Sequence, residues 1–79
     1  MNVPTPSQIE ALVRANRNVR IAKTAIAEAR TDHQAAVNNP DTEDDLLRFL
    51  DRRVTIAKAR YRKNRDRLES LWAHLKETV

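Results

Sequence analysis

The chain of 79 residues contains no glycine and no cysteine. Without glycine, only asparagine readily supplies the positive φ that tight β-turns require, and glycine-rich loops that cradle phosphates cannot form. This absence argues against hairpin sheets and against nucleotide-binding glycine motifs. The absence of cysteine excludes disulfides and thiolate metal sites.

Long apolar runs are also missing. No segment approaches the roughly 20 apolar residues that a membrane span requires. Residues 1–7 lack the charged start and the apolar stretch of a signal peptide. We therefore expect a soluble, cytoplasmic protein with no membrane partner.

Two heptad ladders are what the sequence does contain. Residues recur in steps that alternate three and four, a period that places them on one stripe of a helix and favours a left-handed supercoil. The first ladder comprises Leu12, Ala15, Val19, Ala22, Ile26, Ala29, His33 and Ala36. The second comprises Leu47, Leu50, Val54, Ala57, Tyr61, Asn64, Leu68, Leu71 and Leu75.

A turn signal, Asn38-Asn39-Pro40-Asp41, separates the ladders. Because proline cannot simply continue a helix, the chain should fold back at this point. The sequence predicts an all-α fold, an antiparallel two-helix hairpin of coiled-coil type with an alanine-rich seam. We place helix 1 at about 7–38, the loop at 39–41 and helix 2 at about 42–77. These form a single domain, 7–79, after a disordered N-terminal arm, 1–6.

Polar residues near the helix ends can cap them. Ser7, with Glu10 three residues later, predicts a capping box for helix 1. Asn38 can close that helix where glycine is absent. Asp41 or Thr42 can cap helix 2.

Alanines at seven-residue spacing indicate how the helices pair. In the register that we favour, Leu12 faces Leu71 and Ala29 faces Val54, so that small side chains meet large ones in most layers. The polar ladder residues His33 and Asn64 can specify register at a cost in stability. The alternative for each is a partly exposed polar side chain with no such role.

Several large apolar residues lie off both ladders, and Phe49 and Ile56 form a second stripe on helix 2. A lone hairpin of this size buries little surface. We therefore expect self-association into a four-helix bundle, or binding to another protein. The expected function is non-enzymatic: an adaptor, inhibitor or assembly factor that acts by protein–protein interaction. The interface residues predicted are Phe49, Ile56, Trp72, Arg52, Arg53 and Arg60.

The net charge is +4, and basic residues are concentrated in segment 58–67. Such a surface favours acidic partners and would bind nucleic acid in a salt-sensitive way. The alternative function is therefore an RNA- or DNA-binding bundle that uses Arg14, Arg17, Arg20, Arg62, Lys63 and Arg65. A solvated flank, or contact with the acidic end of a second hairpin, explains the same cluster more simply.

No catalytic residue, cofactor, metal or small-molecule substrate is expected. Ser70, His74 and Glu77 could share a helix face, but no oxyanion donors accompany them. Segment 41–45 has alternating carboxylates like the start of a calcium loop. It lacks the glycine at the sixth position and the glutamate at the twelfth, so helix capping explains the acids better.

Overall fold

The computed structural model describes residues 3–78, which form two helices joined by a short loop. Helix α1 spans Pro6–Val37 and helix α2 spans Asp44–Thr78, and no strand occurs in the described residues. The two helices pack against each other in a rod of 62 × 15 × 14 Å. The predicted all-α helical hairpin is confirmed.

The two ladders form the seam between the helices. Every ladder residue is buried or half-buried, whereas most other described residues are exposed. Steps of three and four average 3.5 residues, close to one helical turn, so the stripe keeps facing the partner helix along the rod. The heptad pattern therefore determines which side of each helix turns inward.

The most buried part of the seam consists mainly of small side chains. Four of the six buried hydrophobic residues are alanine. Alanine lets two helices approach closely, but it removes little apolar area from water, and burial is worth about 25 cal/mol per Å². The core of the hairpin is therefore thin. Its members are Ala15, Ala22, Ala29, Val54, Ala57 and Leu75.

Two observations agree with the predicted register. Leu12 and Leu71 line the same hollow at the open end of the hairpin, the end away from the loop. Near the loop, Arg53 Nη1 donates a hydrogen bond to Asp32 Oδ2 across the two helices at 2.8 Å. Asp32 lies three residues from Ala29 and Arg53 lies next to Val54, so this contact is compatible with the predicted Ala29–Val54 layer.

Helix α1 begins before Ser7. Thr5 Oγ1 accepts a hydrogen bond from Gln8 N at 3.2 Å, and Gln8 Oε1 accepts one from Thr5 N at 2.8 Å. This capping box precedes Pro6, which can occupy the first helical position because an N–H there would lack a partner. The predicted Ser7 cap is therefore wrong. Residues 1–2 of the predicted N-terminal arm lie outside the described residues.

Asparagine side chains shape the loop where glycine is absent. Asn38 caps α1 with φ −78° and ψ −9°, and no described residue has a positive φ. Asn39 Oδ1 accepts a hydrogen bond from Asp41 N at 3.0 Å, which turns the chain locally. Helix α2 starts at Asp44, so Asp41 and Thr42 lie in the loop and are not its cap.

The capping box gives a first prediction. Replacing Thr5 with Ala should lower the free energy of unfolding by about 0.5–2 kcal/mol, because the Gln8 amide loses its acceptor. The control Ser7→Ala should change it by less than about 0.5 kcal/mol. Urea unfolding followed by circular dichroism measures both values, and equal losses would contradict the assignment of Thr5 as the cap.

The alanine seam gives a second prediction. Ala29 is only 1% exposed, so Ala29→Leu should force the helices apart and cost about 1–3 kcal/mol. Ala35 is exposed on the same helix, and Ala35→Leu should change stability by less than about 0.5 kcal/mol. Thermal unfolding measures the stability of both variants. A neutral Ala29→Leu variant would show that the seam is not tightly packed.

Candidate interaction surfaces

Two concave surfaces lie on opposite flanks of the seam. The larger, which we call the Phe49 groove, has a volume of about 530 Å³ and lies between the central parts of both helices. Its main side chains are Ile21, Ala25, Phe49, Arg53, Ile56 and Arg60. The second surface, which we call the basic hollow, has a volume of about 450 Å³. Its cations are Lys23, Arg30, Lys58, Arg62 and Arg65, around the ring of Tyr61.

Exposed apolar side chains converge on the Phe49 groove from both helices. Phe49 and Ile56 are seven residues apart, two turns of α2, and therefore lie on one side of it. Ile21 meets them from α1. Their exposed fractions are 62% for Phe49, 46% for Ile56 and 61% for Ile21. Clustered apolar exposure is a common property of interaction sites, whereas single exposed apolar residues are ordinary.

Five of the six residues predicted for a protein interface line the Phe49 groove. They are Phe49, Ile56, Arg52, Arg53 and Arg60. Trp72 lies elsewhere, in a hollow at the open end that it shares with Pro4 and Ile9. At 100° per residue, Trp72 is about 160° around α2 from Ile56, so one partner surface cannot cover both.

Charges of both signs border the groove. Arg53 is held by Asp32 on the other helix, and both side chains remain about half exposed. Glu28 also lines the groove, as do Arg52 and Arg60. Within residues 3–78, no oppositely charged group lies within 4.0 Å of any of these three. Their charges therefore remain available to a partner.

The groove also contains residues that the sequence did not assign to it. The sequence could have indicated Ile21, since it is a large apolar residue off its ladder. It could not have indicated Ala25 and Glu28, because their place in the groove depends on how α2 lies against α1. Asn64 lies in the groove too, and its Nδ2 donates to Arg60 O at 2.9 Å within α2. Its amide is thus engaged within its own helix, not across the seam.

The six residues predicted for nucleic-acid contact do not form one surface. Arg62 and Arg65 line the basic hollow. Helical periodicity places Arg20 on that flank as well, but it places Arg14 and Lys63 on the flank of the groove. Arg17 points away from the seam. A cluster that is compact in sequence is therefore spread around the rod.

No family model, curated protein or solved structure matches this chain. The functional argument consequently depends on the two surfaces alone. Within the described residues, no group of three or more metal-ligating side chains is close enough to hold an ion. In the same range, neither helix combines the length and hydropathy needed to cross a bilayer.

The Asp32–Arg53 pair gives a third prediction. Because both side chains are about half exposed, solvent screens their attraction, and a double-mutant cycle of Asp32→Ala and Arg53→Ala should give a coupling of about 0.2–1 kcal/mol. The coupling should fall further in about 1 M NaCl. Urea unfolding of the four proteins measures it. A salt-independent coupling above this range would contradict a screened surface pair.

Proposed function

We propose that this protein acts by protein–protein interaction, as a homodimer in which two Phe49 grooves pack together into a four-helix assembly. The observation that supports this most directly is the convergence of exposed Phe49, Ile56 and Ile21 on one concave surface. Complete burial of such a side chain from full exposure is worth about 1.5–3 kcal/mol, and about half of that remains to be gained here because each is 46–62% exposed. This gain supplements a core that consists mainly of alanine.

The dimensions of the rod suit a dimer. A standard interface buries about 800 Å² on each partner, and one face of a rod 62 Å long and 15 Å wide offers about that area. The chain exposes 6595 Å² in all, so the interface would take a modest share of its surface. Small helical units commonly obtain a sufficient core by association.

A second copy is the occupant that the charges favour. In a two-fold dimer the same patch meets itself, so Glu28 of one copy can approach Arg52 or Arg60 of the other. Acidic residues occupy the loop end, at 41–45, and basic residues occupy segment 58–67. In an antiparallel pair of hairpins, Arg60 and Lys63, which lie on the flank of the groove, can approach the acidic segment of the second copy. This attraction would fix the orientation of the copies more than it would raise their affinity.

The role that follows is non-enzymatic. A four-helix dimer of this kind presents its remaining helical faces to other molecules, and we propose that it works as an adaptor, inhibitor or assembly factor. The alternative, nucleic-acid binding, is favoured by the basic hollow, which is a separate surface and is considered in the next subsection.

The fourth prediction tests the groove. The double variant Phe49→Asp, Ile56→Asp should be monomeric, because it removes the apolar burial that holds the two grooves together and requires two carboxylates of each copy to lose their hydration in the dimer. The wild type should have the mass of a dimer at micromolar concentration. Val13 is exposed on the opposite flank of α1, and the control Val13→Asp should remain dimeric. Sedimentation equilibrium measures the three masses, and circular dichroism checks that each is folded.

A charge exchange provides a second test that leaves the apolar side chains in place. Arg60→Glu should weaken the dimer, and adding Glu28→Arg should restore part of the affinity. A wild type that is monomeric throughout the micromolar range would overturn the proposal. So would a dimer whose mass is unchanged in a folded Phe49→Asp, Ile56→Asp variant.

A further inference from the structure

We infer that the basic hollow around Tyr61 binds the phosphate backbone of a nucleic acid. The hollow lies on the flank opposite the Phe49 groove, so the inference does not depend on dimer formation. In the proposed dimer, both hollows would face outward.

The hollow has charge of one sign only. Five of the eight residues that line it are Lys or Arg, and none is acidic. The cations come from both helices: Lys23 and Arg30 from α1, and Lys58, Arg62 and Arg65 from α2. Ile26 and Ala27 contribute apolar surface beside them. An anion in the hollow would therefore meet cations on two sides.

Lys23 and Lys58 are like charges that the fold brings together across the seam. Both line the basic hollow, Lys23 from α1 and Lys58 from α2. Two ammonium groups at flanking positions repel one another, whereas coiled coils commonly place opposite charges there. A bound anion would convert this repulsion into two attractions.

Most of these cations have no acidic partner. Within the described part of the chain, no carboxylate lies within 4.0 Å of Lys23, Arg30, Lys58 or Arg62. Arg65 lies 3.8 Å from Asp66 and 3.9 Å from Glu69. These separations exceed the 2.7–2.9 Å of a strong charge-assisted hydrogen bond. A phosphate could therefore replace either contact.

The spacing of the cations suits a polyanion better than a single anion. Lys23 and Arg30 are seven residues apart, as are Lys58 and Arg65, which is about 10 Å along each helix. Along a duplex, each strand carries one phosphate per 3.4 Å of helix axis, so cations about 10 Å apart can contact different phosphates of the same molecule. Two cationic rows can thus follow one strand or the edge of a duplex.

The chemistry of the hollow predicts weak sequence preference. Tyr61 is its only aromatic residue, it is half-buried, and the Arg65 guanidinium carbon lies 6.0 Å from the centre of its ring. One covered ring offers little stacking surface for bases. Contacts to phosphate fix position without reading sequence.

The fifth prediction concerns binding to a labelled oligonucleotide of about 20 nucleotides or base pairs. This length is sufficient for a small domain, since one dsRNA-binding domain spans about 16 base pairs. Fluorescence anisotropy across a KCl series should show that the logarithm of the binding constant falls linearly with the logarithm of the salt concentration, for single strands or for duplexes. Four or five phosphate contacts give a slope of about −3 for single strands and about −4 for a duplex. RNA and DNA probes are compared as separate arms.

The variant Lys23→Gln, Lys58→Gln should bind about 10- to 100-fold more weakly near 150 mM salt and reduce the slope by about 2. Its matched control is Arg14→Gln, Lys63→Gln, which removes the same net charge from the other flank. The control should retain most of the affinity, and circular dichroism should show both variants to be folded.

Three outcomes would overturn the inference. One is the absence of salt-dependent binding near physiological salt with every probe. Another is an equal loss of affinity in both variants, which would indicate attraction to net charge without a site. The third is a change in oligomeric mass in Lys23→Gln, Lys58→Gln without nucleic-acid binding, which would assign the hollow to the acidic segment of a second copy.

Discussion

Close approach of two helices along an alanine seam is the constraint on which the rest of this structure depends. Ala15, Ala22 and Ala29 recur at seven-residue spacing and are buried. Helices that pack at alanine can bring their flanking side chains together across the seam. Both surfaces described above contain residues from α1 and α2 for this reason, and neither would exist on an isolated helix.

The same seam leaves the protein with little apolar burial. Several large hydrophobic side chains lie beside the seam and stay exposed, as Ile21, Phe49 and Ile56 show. In a larger domain such residues would be covered by further elements of the same chain. Here the described residues form only two helices, and these side chains stay exposed; the dimer proposed above would cover them.

The sequence could predict the parts of the fold that depend on the heptad period of the apolar residues and on the residues of the turn. The ladders determine which side of each helix is buried, and Asn38-Asn39-Pro40-Asp41 determines where the chain reverses. The caps were less predictable, because both Thr5 and Ser7 are good N-cap residues. The choice of Thr5 depends on Pro6 at the first helical position and on the reach of the Gln8 side chain.

The surfaces were predictable only in part, for a geometric reason. Phe49 and Ile56 belong together because they share one helix side, and that much follows from spacing. Trp72 was assigned to the same interface on its residue type, although its helical phase separates it. That Lys23 and Lys58 line one hollow depends on how α2 lies against α1, which neither helix alone determines.

The short loop also has a consequence for the order of folding. Layers next to the loop, such as Ala29 with Val54, close a short segment of chain and lose little entropy on forming. Layers at the open end, such as Leu12 with Leu71, close almost the whole chain and lose more. The sequence separation of paired residues therefore increases steadily along the rod, so that layers at the loop lose the least chain entropy on forming and layers at the opposite end lose the most.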